Sequence, residues 1–166
     1  MKGGGKVDEF EKIYNENVKK VYCYLLSLCR NEFLAQELTS ETFCKAIMKI
    51  NSFRGDCDIS VWLCQIAKNL YYSHCRKEKK QDNSLIESEI DFVLTIDDKE
   101  QTKEIMTHLH SLDEPYKEVF MLHIFAEIEL KEISKLFDKS ESWARVTFYR
   151  AKEKIIQKLR EGNKNE

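Results

Sequence analysis

The stretch that decides the fold is Leu130–Ile155, LKEISKLFDKSESWARVTFYRAKEKI. Leu130, Ile133, Ser134 and Phe137 recur at three-to-four spacing, as do Ala144, Phe148 and Ala151. That period places each set on one face of a helix. A polar three-residue turn separates the two, and Arg145, Tyr149, Arg150 and Lys152 stand between or beyond the apolar positions of the second. Two short helices joined in this way make a helix-turn-helix, whose second helix fits the major groove of a duplex. The segment predicts contact with DNA.

Working outward, the chain has 166 residues, 42% hydrophobic and 34% charged. One proline and five glycines, three of them in Gly3-Gly4-Gly5, leave few breakers for a strand-and-turn architecture. No apolar run is long enough for a transmembrane helix. The start, MKGGGKVDEF, has no apolar signal core. The expectation is a cytoplasmic protein with no membrane insertion. No sensing domain follows Glu166, so control is expected from another chain or from expression.

Charge is segregated behind a net value of −2. Between Lys68 and Lys80, five bases (Lys68, Arg76, Lys77, Lys79, Lys80) face Glu78 alone. Between Gln81 and Glu104, eight acids face Lys99 and Lys103. Between Lys131 and Arg160, nine Lys/Arg face four Asp/Glu. Solvated helix faces explain any one patch but explain the alternation poorly.

The pattern predicts an all-α protein of two small helical domains joined by an acidic linker: residues 1–80, a linker over 81–102, and a helix-turn-helix domain over 103–166. In the first domain a helix runs from about Asp8 to Arg30, capped by Asp8, with Phe10, Tyr14, Val18, Val21, Leu25 and Leu28 as its stripe. A second runs through Ile50, with Leu34, Leu38, Phe43, Ala46, Ile47 and Ile50 on its apolar side. Asn51–Asp58 is a loop, and a third helix starts near Ser60. In the second domain Asp113 is expected to cap a helix with Pro115 in its first turn.

No catalytic constellation emerges: His74, His108, His110 and His123 are scattered, and no phosphate-binding glycine loop or nucleophile elbow occurs. No enzyme activity, cofactor or metal is expected. The six cysteines, Cys23, Cys29, Cys44, Cys57, Cys64 and Cys75, include no CxxC pair and read as ordinary thiols in a reducing compartment. Ser52–Lys80 interleaves Trp62, Tyr71 and Tyr72 with Lys68, Asn69, Arg76 and Lys77. Aromatics stack on unpaired bases and cations track phosphates, so the segment suits single-stranded or melting DNA. Trp62 alone reads equally as a core residue. Glu37 and Glu41 lie four residues apart on one helix face, either a solvated acidic patch or a docking surface for a helical partner.

Together these segments resemble the extracytoplasmic-function (ECF) sigma factors of bacterial RNA polymerase. AQELTSETF is similar to the family's AEDLxQETF segment, which implies polymerase β′ clamp-helix binding by Glu37, Ser40, Glu41 and Phe43. FRGDCDISVWLCQIAKNLYYSHCRK is similar to FRGxSxFxxWLYRIARNLxxDxxRR, which melts and reads the −10 element. By resemblance, the loop Gly55, Asp56, Cys57, Asp58 and Ile59 captures a flipped base, and Trp62 sits at the fork. Lys68, Asn69, Tyr72, Ser73, Arg76 and Lys77 then face the element. LDEPYKEVF onward resembles the domain that binds the −35 duplex and the β flap, implying DNA contacts from Ser142, Trp143, Arg145, Val146, Tyr149 and Arg150. Implied partners are core polymerase, promoter DNA both duplex and melted, and an anti-sigma factor. Ser73, Ile59, Asp138 and Trp143 depart from the family pattern at positions that bear on promoter choice. A second reading is a stand-alone helix-turn-helix regulator with a helical sensing domain.

Overall fold

The computed structural model describes residues 4–80 and 99–162, and the described residues contain helices and turns but no strand. The order is α1 (Gly4–Cys29), α2 (Glu32–Lys49), a 3-10 turn (Ile50–Ser52), α3 (Ile59–Lys80), α4 (Lys99–His110), α5 (Tyr116–Ile124), α6 (Leu130–Leu136) and α7 (Glu141–Gly162). The chain divides into two compact units, Met1–Glu89 and Ile90–Glu166. The acidic stretch 81–98 lies outside the described residues.

In the first unit, α1, α2 and α3 each pack on the other two. Val21, Tyr24 and Leu25 from α1 meet Ala35, Leu38, Phe43 and Ala46 from α2 and Val61, Leu63, Ala67 and Leu70 from α3, all buried. The alanines let the helix axes approach, while burial of a side chain such as Leu25 or Leu63 contributes roughly 1.5–3 kcal/mol. Thr39 and Thr42 are buried too, and their hydroxyls donate to the carbonyls of Ala35 and Leu38 at 2.6 and 2.7 Å. Bonding back along the helix satisfies these groups without a cross-core partner. Between α1 and α2, Arg30 takes φ 52 and Asn31 caps α2, its side-chain oxygen accepting from the Leu34 N–H at 3.0 Å.

The second unit is built around α7, which packs on α4, α5 and α6. Ala144, Thr147, Ala151 and Ile155 form its inward stripe. Met106, Leu109, Val119, Leu122 and Ile133 are buried opposite. His123 is a packing residue: Nδ1 lies 2.8 Å from the Ile128 carbonyl, and the ring meets Phe148 edge-on at 4.7 Å.

Several boundaries differ from the pattern reading. Helix α1 begins at Gly4, so Asp8 is an interior residue and not its cap; propagating a nucleated helix adds a hydrogen bond per residue, even through poor formers. Asp113 does not cap α5. Pro115 occupies the cap position with no side-chain bond there, and the Glu114 carboxylate accepts from the Glu118 N–H at 3.0 Å. Residues 99–102, which the pattern assigned to the linker, belong to α4. Ile47 is 52% exposed, because the buried arc of α2 is centred on Leu38, Thr42 and Ala46 and Ile47 falls outside it.

Candidate nucleic-acid interface

The turn between α6 and α7 is set by backbone chemistry. Phe137 closes α6, Asp138 takes φ 52, the Asp138 N–H donates to the Lys135 carbonyl at 3.1 Å, and the Lys139 N–H donates to the Ser134 carbonyl at 2.9 Å. This is the paired 6→1 and 5→2 pattern of a Schellman C-cap. Aspartate tolerates the left-handed region better than most residues, so it serves where glycine is commoner. Ser140 then caps α7, its Oγ accepting from the Trp143 N–H at 3.1 Å.

With the inward stripe of α7 fixed, the outward one follows. Ser142, Arg145, Val146, Tyr149 and Arg150 are exposed, Tyr149 by 62%. They recur at three-to-four spacing and present a hydroxyl, two guanidiniums and a phenol on one face, all donors able to reach base edges or phosphates. Trp143 is different: it is half-buried and packs on Phe137, ring centroids 5.3 Å apart. Arg145 donates from Nη2 and Nε to Glu141 Oε1, at 2.5 and 3.2 Å.

In the first unit, α3 buries Val61, Leu63, Cys64, Ala67 and Leu70 and turns Asn69, Tyr72, Arg76 and Lys77 to solvent. Lys68 is half-buried with its Nζ 5.9 Å from the Tyr72 ring centre, and Arg76 donates to the Ser73 hydroxyl at 3.0 Å. Trp62 is half-buried and tilted against Phe53 at 5.1 Å. The aromatic–cationic face is continuous in spacing from Trp62 through Asn69 to Arg76. Exposed Gln65 lies within it, a position the sequence reading passed over. Burial pushes the Tyr71 phenol upward, with its hydrogen bond to Cys75 adding to the effect, so it stays neutral.

Of the loop residues, Gly55 sits at φ 74 with open space where a Cβ would stand, and Asp56 is exposed. Cys57 and Ile59 are half-buried. Asp58 Oδ1 accepts from the Ser60 N–H at 2.8 Å, so this carboxylate caps the start of α3. Its oxygen holds the helix end, a local task that spacing alone does not reveal.

On α2, Glu37, Ser40 and Glu41 are exposed, with Glu41 3.2 Å from Lys45. Phe43 is buried, 5% exposed, and meets Tyr14 edge-on at 4.8 Å. It supports the patch from below and does not present its ring at the surface. Phe33 at 77%, Ile47 at 52% and Met48 at 72% exposed extend the outer face of α2 at both ends. The sequence reading missed Phe33 and Met48. Their signal was angular: neither falls on the Leu34–Leu38–Ala46 arc.

Among the described residues, no group of three or more His, Cys, Asp or Glu side chains is placed to hold a metal. Among those residues, no helix is long and apolar enough to cross a membrane. None of the six cysteines is in a disulfide, and Cys64 is buried while Cys44 is exposed. Burial raises the Cys64 thiol to about 12 and the Cys29 thiol to about 11.

Comparison with known proteins agrees with this geometry. Residues 13–81 match Sigma-70 region 2, and residues 102–155 match Sigma-70 region 4. The ECF RNA polymerase sigma factor SigM of Bacillus subtilis is 29% identical over 150 residues, 87% of this chain and 91% of the relative. The RNA polymerase sigma factor YlaC of the same organism is 25% identical, covering 96% of each chain. The sigma factor RpoE of Bartonella quintana shares the fold, with a TM-score of 0.71 over 92% of this chain and 97% of that one, at 19% identity.

Two helical units, one ending in a helix-turn-helix, define a sigma-type initiation factor. The chain belongs to the extracytoplasmic-function group of the sigma-70 family. It is a promoter-recognising factor, and the alternative of a stand-alone regulator with a sensing domain is not favoured, because the first unit itself matches region 2.

Proposed function

We propose that this chain docks on core RNA polymerase through the outer face of α2 and reads the −10 element with α3 and the loop before it. The outward stripe of α7 then lies in the −35 major groove. It acts by binding, not as an enzyme, and works in the cytoplasm, where polymerase and promoters meet. The observation that carries this reading is the division of labour on α7. Its inward stripe is wholly consumed in packing, while Ser142, Arg145, Val146, Tyr149 and Arg150 are exposed with no packing task.

The roles follow from chemistry. Arg145 and Arg150 can bond guanine edges or phosphates, Tyr149 can bond a base or a phosphate, and Val146 can contact a thymine methyl. On α3, Trp62 and Tyr72 offer stacking surfaces for unstacked bases, while Arg76 and Lys77 hold the backbone. On α2, Glu37 and Glu41 supply negative charge and Phe33 and Met48 supply apolar anchors, the mixture of rim and core that protein interfaces use. The Glu41–Lys45 pair is exposed and worth little, so a partner can displace it. The related RpoE of Bartonella quintana was solved with the anti-sigma factor NepR. An antagonist of that kind is the expected regulator here.

Docking is tested by co-elution with core polymerase in gel filtration. The double variant Glu37→Lys, Glu41→Lys is expected to fold as the parent does and to lose co-elution. Retained co-elution would remove α2 from the docking surface.

A further inference from the structure

We propose that Glu141 is a positioning residue for −35 recognition, holding the Arg145 guanidinium so that its end-on edge meets one guanine. The inference rests on the reading of α7 given above, in which Arg145 enters the groove.

An acidic side chain on the groove-facing first turn of α7 is costly in itself, since it brings negative charge toward phosphates. Glu141 is nevertheless there, with its side chain 42% exposed. Two functions can offset that cost. One is purely helical, because a carboxylate near an N-terminus interacts favourably with the helix dipole. The second is specific to this pair. Nε and Nη2 of Arg145 both donate to the same oxygen, Oε1 of Glu141, at 3.2 and 2.5 Å. That contact uses the side-on edge of the guanidinium. The rigid planar fork still carries donors on its Nη1–Nη2 edge, the pair that matches guanine O6 and N7.

The spacing supports the second role. Glu141 and Arg145 are one helical turn apart, with the acid N-terminal to the base, the favourable order for such pairs. Arg145 is 68% exposed, and among the described residues its side chain bonds to Glu141. Without that carboxylate a long exposed arginine samples many rotamers, and ordering it on binding costs affinity. With it, the side chain arrives already aimed. By contrast, Arg150 on the same face has an acidic neighbour, Glu153, only three residues C-terminal, the weaker order. Arg145 is therefore the guanidinium prepared for a single base, and Arg150 the one suited to a phosphate.

The test uses holoenzyme assembled from core polymerase and the full chain, with transcription scored on templates carrying every single substitution through the −35 element. Arg145→Ala is expected to flatten the preference at one base pair by about five- to hundredfold, the value of a bidentate contact. Glu141→Ala should flatten preference at that same base pair by about two- to tenfold, the cost of ordering a free side chain. Glu141→Gln keeps an acceptor at the same reach and should fall between Glu141→Ala and the parent. Thermal melting of each variant reports the helical contribution separately. If Glu141→Ala changes output equally on every template, its role is charge and helix stability alone, and the inference fails. If Arg145→Ala flattens the preference and Glu141→Ala leaves it intact, the positioning role is wrong while the reading of Arg145 survives. If neither variant alters preference, Arg145 does not read a base and both fall.

Discussion

Trp143 packs on Phe137 across the helix-turn-helix turn, their ring centroids 5.3 Å apart and tilted by 45°. Phe137 is the last residue before the left-handed Asp138, and Trp143 stands in the first turn of α7. The indole therefore bridges the two helices whose relative angle sets the direction of the outward stripe of α7. Its effect on promoter choice is expected to come through that angle as much as through contact. Trp143→Ala should lower the stability of the second unit by about 1–2 kcal/mol, as loss of a half-buried aromatic does. It should also weaken −35 duplex binding in the holoenzyme, whereas Trp143→Phe keeps most of both. Chemical denaturation and duplex binding check the two parts.

Asp138 at φ 52 makes the turn sensitive to side-chain type. A β-branched residue there meets the left-handed penalty of roughly 1–2 kcal/mol, so Asp138→Val should lower the melting temperature. Asp138→Gly should hold or raise it, the relief of backbone strain being partly offset by glycine's greater unfolded-state freedom. Calorimetry on the two variants reads the sign directly.

Alkaline pH should destabilise the first unit. Burial raises Cys64 from 9.0 to about 12 and Cys29 from 9.0 to about 11, and it raises Tyr71 as well. For an acid whose folded-state value lies above its unfolded one, the unfolded chain releases its proton first. Stability is then fully present below about pH 9 and lost as pH rises toward 11 and 12. Urea midpoints measured from pH 7 to 11 should stay level and then fall. Cys64→Ala should start lower, because it leaves space in the core, and should decline less steeply.

Phe33 is 77% exposed at the N-terminal end of α2. Phe33→Ala should change stability by no more than about 0.5 kcal/mol, since little packing is lost. On the docking reading it should weaken association with core polymerase several-fold. Titration of core with labelled protein checks this, and unchanged affinity would place Phe33 outside the interface.

The architecture was legible because helix periodicity is strong here. Val21, Leu25, Leu38, Ala46, Leu63 and Leu70 are apolar, recur at helical spacing and are all buried. Helix α7 was legible for the same reason, since Ala144 and Ala151 could only face inward beside so many cations. What spacing could not show was competition for a side chain. Asp58, expected as a loop contact, also caps α3, and Asp113 resembles a cap but yields that place to Glu114 and Pro115. Phe43 was expected to join Glu37 and Glu41 in binding polymerase, and its ring lies buried against Tyr14. In each case the outcome depended on a neighbour's geometry, which a one-dimensional pattern does not contain. The Glu141–Arg145 spacing stands in the sequence, but the edge of the guanidinium that the carboxylate occupies is set by side-chain geometry.

The measurement that tests the central claim most directly is promoter-dependent transcription by purified core polymerase supplemented with this chain. Initiation should require the chain, require both promoter elements, and fall sharply with Arg145→Ala, Arg150→Ala on one unit or Trp62→Ala, Tyr72→Ala on the other. Tight binding of the isolated chain to a duplex operator, with no initiation from core polymerase on any template, would contradict it.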